Sequence, residues 1–106
     1  MRSVIVNFEK LKDEKFRNKA LRGEDRKLNL TIIEINAFFS MEKPISRQNL
    51  QKYLGKYDLP ASYVEKFFQK WERELLLLRK SGKYVVNEKS SLFRKLKRLS
   101  KKKFTS

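Results

Sequence analysis

The sequence predicts a mainly α-helical protein with a small β-hairpin and basic helical extensions at both ends. Apolar residues recur at helical spacing, and several helix starts carry capping signals. A glycine turn also separates a leucine run from a β-prone segment. The 106 residues suffice for one domain. We divide them into an N-terminal flank over 1–27, a central domain over 28–87 and a basic C-terminal helix or tail over 88–106.

The flank contains two candidate elements. Residues Val4–Val6 form a short β-branched run that could pair as a strand. The charged stretch from Glu9 to Arg22 carries apolar residues roughly on one side of a helix, and Gly23 then breaks the pattern.

The first helix of the central domain is predicted to begin at Thr31. Thr31 and Glu34 have the spacing of a capping box, and Leu30 and Ile35 have that of a hydrophobic staple. Pro44 disfavours helix in the residue before it, so the helix should end shortly before that proline.

Two further helices follow. Ser46 can cap a second helix, in which Ile45 and Leu50 again have staple spacing and which should end near Tyr57. A third helix over about 61–73 has an apolar stripe opposite a polar side. The residues expected to be buried together are Ile35, Phe39, Leu50, Leu54, Val64, Phe68 and Trp71.

The segment after the third helix has two interpretations. Leu75–Leu78, a polar turn containing Gly82 and the β-prone Tyr84–Val86 together predict a hairpin. The apolar spacing through Leu78 also fits one long helix. We favour the hairpin because Tyr84–Val86 needs a strand partner.

The C-terminal segment reads as a basic amphipathic helix. Leu92, Phe93, Leu96 and Leu99 have helical spacing, and from Lys89 onward there are eight Lys or Arg residues and no acid. We expect the central domain to stay folded without residues 94–106.

Composition argues against an enzyme. The chain has no Cys and no His, which excludes thiolate chemistry and the commonest general base and metal ligand. Glu65, Glu72 and Glu74 are expected to pair with Lys or Arg rather than form a catalytic group. We therefore expect no cofactor, no metal and no small-molecule substrate. With no secretion signal and no membrane-spanning run, we expect a soluble, cytoplasmic protein.

The net charge of the chain indicates what kind of ligand it binds. There are 27 Lys and Arg against 12 Asp and Glu, giving a net charge of +15. Solubility alone needs a net charge of only about 2 to 8. An excess of this size favours a polyanionic ligand, nucleic acid above all.

The element order resembles that of the winged helix-turn-helix family. It runs helix, helix, turn, helix and hairpin, with about three residues between the second and third helices. The resemblance covers roughly 28–87 and depends on WERELLLL at 71–78 followed by RKSGKYVV at 79–86. Many family members have a glycine just before the first wing strand, where this chain has Leu75.

The resemblance implies that the third helix enters the DNA major groove with its polar side, which carries Ser62, Tyr63, Lys66, Gln69, Lys70 and Arg73. In this arrangement Gln69 could read adenine and Arg73 guanine, while Lys66 and Lys70 hold phosphates. The second helix would contact the DNA backbone through Arg47, Gln48 and Lys52. The tip of the wing would contribute Arg79, Lys80 and Lys83.

The tail adds sequence-independent phosphate contacts in this interpretation. Its candidate residues are Arg94, Lys95, Lys97, Arg98, Lys101, Lys102 and Lys103.

Three hypotheses follow for function. The leading one is a DNA-binding transcriptional regulator, of archaeal or viral type by composition, with DNA favoured over RNA. The second is a ribosomal or ribosome-associated RNA-binding protein, which the unpaired basic tail also suits. The third is a basic interaction module for an acidic protein partner. A membrane partner is disfavoured, and a homodimer is left open.

Overall fold

The computed structural model describes residues 7–101, and this part of the chain is mainly α-helical with one antiparallel hairpin, as predicted. Val4–Val6, the predicted strand, lies outside the described residues. The elements are a 3₁₀ helix at Phe8–Lys12, α1 at Glu14–Arg22, α2 at Arg26–Ser40, α3 at Arg47–Lys56, α4 at Ser62–Arg73, β1 at Leu77–Lys80, β2 at Lys83–Val86 and α5 at Ser91–Ser100. The order from α2 to β2 is compatible with a winged-helix-like fold.

Helix α2 begins at Arg26, so the predicted start at Thr31 is wrong. The Thr31 hydroxyl donates to the Lys27 carbonyl oxygen at 2.9 Å, as a hydroxyl inside a helix does. The earlier start is explained by packing. Asn29 is fully buried, and its Nδ2 donates to the carbonyl oxygen of Ala20 at 2.9 Å. This bond joins the first turns of α2 to the end of α1.

The flank pattern predicted over Glu9–Arg22 is split at Asp13, which ends the 3₁₀ helix and caps α1. The predicted end of α2 and the predicted positions of α3 and α4 are confirmed. α2 ends at Ser40, before Pro44. The Ser46 hydroxyl accepts from the Asn49 N–H at 3.1 Å, which caps α3. Helix α4 covers Ser62 to Arg73 and thus follows α3 after a short turn.

Trp71 lies at the centre of the core and is fully buried. Its ring centroid is 5.3 Å from that of Phe38, 5.5 Å from Phe68 and 6.0 Å from Phe67. Six of the seven predicted core residues are buried. Phe39 is the exception at 40% exposure, and its neighbour Phe38 is buried instead. The side of α2 that faces α4 sets this choice, because Phe38 packs against Trp71.

A Schellman motif ends α4 and turns the chain into the hairpin. The Leu76 N–H donates to the Trp71 carbonyl oxygen at 2.8 Å, and the Leu75 N–H donates to that of Glu72 at 3.1 Å. Leu75 adopts a left-handed conformation, with φ of 59°. This is the position where the winged helix-turn-helix pattern often has glycine, so leucine occupies a glycine-like conformation.

The hairpin excludes the alternative of one long helix. β1 pairs antiparallel with β2, from Leu77 opposite Val86 to Lys80 opposite Lys83. Ser81 and Gly82 form the two-residue turn, and both have positive φ, 51° and 77°. This is the pattern of a type I′ hairpin turn, which matches the twist of the strands.

Both extensions contribute to the same core as the central elements. Leu11 is fully buried, and Leu92 and Leu96 are 6% and 1% exposed. The Ser90 hydroxyl accepts from the Phe93 N–H at 3.0 Å and caps α5, which packs on α2. Deleting residues 94–106 would remove Leu96 from this core, so we now expect the deletion to destabilise the domain.

Candidate nucleic-acid interface

Helix α4 presents a row of exposed polar side chains on the side opposite its buried stripe. The row consists of Ser62, Lys66, Gln69 and Arg73, all exposed. They follow at steps of four, three and four residues and therefore lie along one line of the helix. These four residues stand where the sequence predicted them.

Two other predicted α4 residues lie at the edge of this row. Lys70 is partly exposed, and its Nζ donates to a Glu34 carboxylate oxygen at 2.8 Å. The other oxygen accepts from the Trp71 indole N–H at 3.0 Å, so the nearly buried Glu34 has two donors. The Tyr63 ring stacks on that of Phe67 with 5.9 Å between centroids. Burial raises the pKa of the Tyr63 hydroxyl.

Arg47, predicted to contact the DNA backbone, makes several contacts within the protein. Its Nε lies 2.6 Å from a Glu65 carboxylate oxygen, and its Nη2 lies 3.4 Å from one of Glu72. Its Nη1 donates to the Tyr84 hydroxyl at 2.8 Å, and its guanidinium lies 4.8 Å from the centre of the Phe68 ring. The hydrogen bonds to Glu65 and then Tyr84 raise the pKa of Arg47.

Arg47 thus joins three elements. It starts α3, its acidic partners are on α4, and Tyr84 is on β2. The predicted pairing of Glu65 and Glu72 with a basic residue is confirmed. Glu74 lies 3.9 Å from Arg73, which makes a weaker, exposed pair. Because Arg47 is bonded both to Glu65 on α4 and to Tyr84 on β2, it fixes the hairpin against α4.

The remaining predicted residues of α3 and the wing are exposed. Gln48 and Lys52 are exposed on α3, and Arg79, Lys80 and Lys83 are exposed at the tip of the hairpin. The strand register places Lys80 directly opposite Lys83. Like charges in this position destabilise a sheet. An anion between them would relieve that repulsion.

Helix α5 and its C-cap carry several exposed basic side chains and no acidic residue. Arg94, Lys95, Lys97, Arg98 and Lys101 are all exposed. Lys102 and Lys103 lie outside the described residues. Because Leu92 and Leu96 are buried in the core, these cations are held on a fixed helix face.

Residues 7–101 hold no cluster of acidic side chains placed to bind a metal ion. Every helix among them is too short or too polar to span a lipid bilayer. Comparisons of the chain with protein-family models, curated proteins and solved structures find no match.

Sequence reasoning missed the structural roles of Glu34 and Arg47. The sequence predicts a helix cap for Glu34 and a phosphate contact for Arg47. Their partners lie 18 to 37 residues away in the sequence. The only local signal was the presence of two acids, Glu65 and Glu72, on one side of α4.

Proposed function

We propose that this chain is a non-enzymatic nucleic-acid-binding protein of winged helix-turn-helix type. It acts in the cytoplasm as a DNA-binding regulator, and α4 enters the major groove. The observation that carries the proposal is the exposed row on α4 with the hairpin directly after it. Lys66, Gln69 and Arg73 supply donors and an acceptor of the kinds that hold phosphates and read base edges.

The contacts of Arg47 with Glu65 and Tyr84 support the proposal because they fix the position of the hairpin relative to α4. A row on α4 and a basic hairpin tip can contact one duplex together only if their relative position is set. The bonds from Arg47 to Glu65 and Tyr84 set it. The positive charge of Arg47 also offsets the negative charge of Glu65, one of its two acidic neighbours on α4, which would otherwise repel phosphate.

Helix α5 contributes affinity that does not depend on base sequence. Its exposed cations have no acidic neighbour on the same helix. Contacts from such cations to phosphate release counterions and make binding weaken steeply with salt. The α4 row then supplies base preference, and α5 supplies a general attraction to the backbone.

A structural RNA-binding protein is the second candidate. The observation that favours it is the same α5 surface, because five fixed cations contact RNA phosphates as readily as DNA phosphates. The row on α4 favours DNA, since the deep, narrow major groove of RNA does not admit a helix.

The test is a competition between a mixed-sequence DNA duplex and an RNA hairpin of equal stem length. We expect the duplex to bind with a steep salt dependence and to be preferred over the RNA. Preference for the RNA by tenfold or more would favour the second candidate. If neither ligand binds at about 50 mM salt, nucleic-acid binding is refuted.

A further inference from the structure

A groove of about 280 Å³ runs between α2 and α4, next to the exposed row on α4 that contains Lys66. It is lined by Lys27, Leu30, Thr31, Glu34, Lys66, Phe67 and Lys70. α2 provides one wall and α4 the other. Of the residues that line the groove, only Lys66 and Lys70 are candidate nucleic-acid contacts. Most of the groove therefore has no role in the proposed function.

The groove has an apolar part. Leu30 and Phe67 are the two apolar residues that line it. The Phe67 ring stacks on the rings of Tyr63 and Trp71, with 5.9 Å and 6.0 Å between centroids. Only 3% of Phe67 is exposed, so little of its ring is available for a nucleobase to stack on. The volume and lining of the groove instead suit one aliphatic or aromatic side chain packed beside Leu30.

The rim of the groove is cationic. Lys27 on α2 and Lys66 on α4 are exposed at its two walls. The Glu34 carboxylate beneath them is bonded to Lys70 and to the indole of Trp71. Because Lys70 offsets the charge of Glu34, Lys27 and Lys66 leave the groove with a net positive charge. Its complement is therefore an apolar group flanked by negative charges.

We propose that this groove binds an acidic segment of a partner protein, with one large apolar side chain inserted between Leu30 and Phe67. Carboxylates on either side of that side chain pair with Lys27 and Lys66. The site is an addition to nucleic-acid binding and does not depend on it. None of its lining residues belongs to the basic surface of α5.

The test uses a labelled synthetic peptide of about a dozen residues, rich in Asp and Glu with Leu-Phe at its centre, and a second peptide of equal charge with Ser-Ser there. A chain of this net charge attracts any acidic peptide, so the informative quantity is the difference between the two. Fluorescence anisotropy near physiological salt should show the Leu-Phe peptide binding at least about tenfold more tightly, as burial of a large apolar side chain predicts.

Charge reversal locates the site. Lys27→Glu should weaken binding of the Leu-Phe peptide about tenfold. Lys15→Glu is the matched control, since both lysines are exposed in the first turn of a helix, where an acid is well tolerated. Circular dichroism should show both variants folded. Backbone NMR shifts caused by the Leu-Phe peptide should centre on Leu30, Thr31 and Phe67.

Equal binding of the two peptides, or equal loss in the two variants, would overturn the proposal. So would NMR shifts confined to α5. If a DNA duplex moves the groove resonances and the Leu-Phe peptide does not, the groove belongs to the nucleic-acid surface and the partner-protein site is refuted. Failure of DNA binding, by contrast, would leave the peptide result intact.

Discussion

Replacing Leu75 with glycine should stabilise the protein. Leu75 has φ of 59°, a conformation that costs a residue with a Cβ about 1 to 2 kcal/mol. Glycine avoids that cost and loses about 0.5 to 1 kcal/mol through its freer unfolded chain. The leucine side chain is 60% exposed, so its removal sacrifices little burial. The net gain expected for Leu75→Gly is about 0.5 to 1 kcal/mol.

The assay is thermal unfolding followed by circular dichroism. A gain of this size in a domain of this length raises Tm by about 2 to 8 °C. Leu75→Ala is the matched control, because it removes the same exposed side chain but keeps the positive φ of a residue with a Cβ. It should give no gain. If glycine is no more stable than alanine at this position, the left-handed conformation of Leu75 and the Schellman motif built on it are refuted.

Three further predictions test the core, a buried tyrosine and the α5 surface. Trp71→Ala should lower the free energy of unfolding by about 3 to 5 kcal/mol in urea titrations, and unchanged stability would show that Trp71 is exposed. Burial raises the pKa of Tyr53 above its ordinary 10.0, so its contribution to stability is complete below pH 10 and is lost as pH rises further. Tyrosinate absorbance should show delayed titration, which includes Tyr63, and Tyr53→Phe should remove one tyrosine's share of it. Changing Lys95, Lys97 and Arg98 together to Gln should leave the protein folded and reduce the slope of log affinity against log salt by about 2 to 3, whereas an unchanged slope would assign α5 another role.

Local signals were sufficient to predict most of the elements. The cap at Ser46 and the hairpin turn at Gly82 depend on residues a few positions apart, and both are confirmed. The start of α2 could not be predicted this way. Thr31 carries a capping motif, but the helix extends upstream because Asn29 packs against α1. Tertiary packing overrides a local start signal when the preceding residues can also be helical.

The candidate site likewise has features that local sequence patterns predict and features that depend on tertiary packing. The exposed row on α4 follows from the helical period, because one side of the helix is apolar and the other polar. The engagement of Arg47 does not, since its partners come from α4 and β2. Which phenylalanine of α2 is buried also depends on where α4 packs. Phe38 and Phe39 are adjacent and point in different directions from the helix, and the one that faces Trp71 is buried.

Lys70 is a poor probe of the interface, although the sequence predicts a phosphate contact for it. It donates to Glu34, whose side chain is only 4% exposed. Removing the lysine leaves that carboxylate with the indole of Trp71 as its remaining donor and destabilises the fold. Lys66 makes no ion pair among the described residues and is the better choice.

The central claim, that α4 reads DNA, is tested most directly by selecting binding sites from a random duplex pool with the wild type, Arg73→Ala, Lys66→Ala and the control Lys19→Ala. We expect a defined motif for the wild type. Arg73→Ala should lose preference at one base pair, with about 1 to 3 kcal/mol of affinity. Lys66→Ala should keep the motif and bind all sequences more weakly, and Lys19→Ala, on the exposed side of α1, should match the wild type. An identical motif and affinity in all four proteins would contradict the claim.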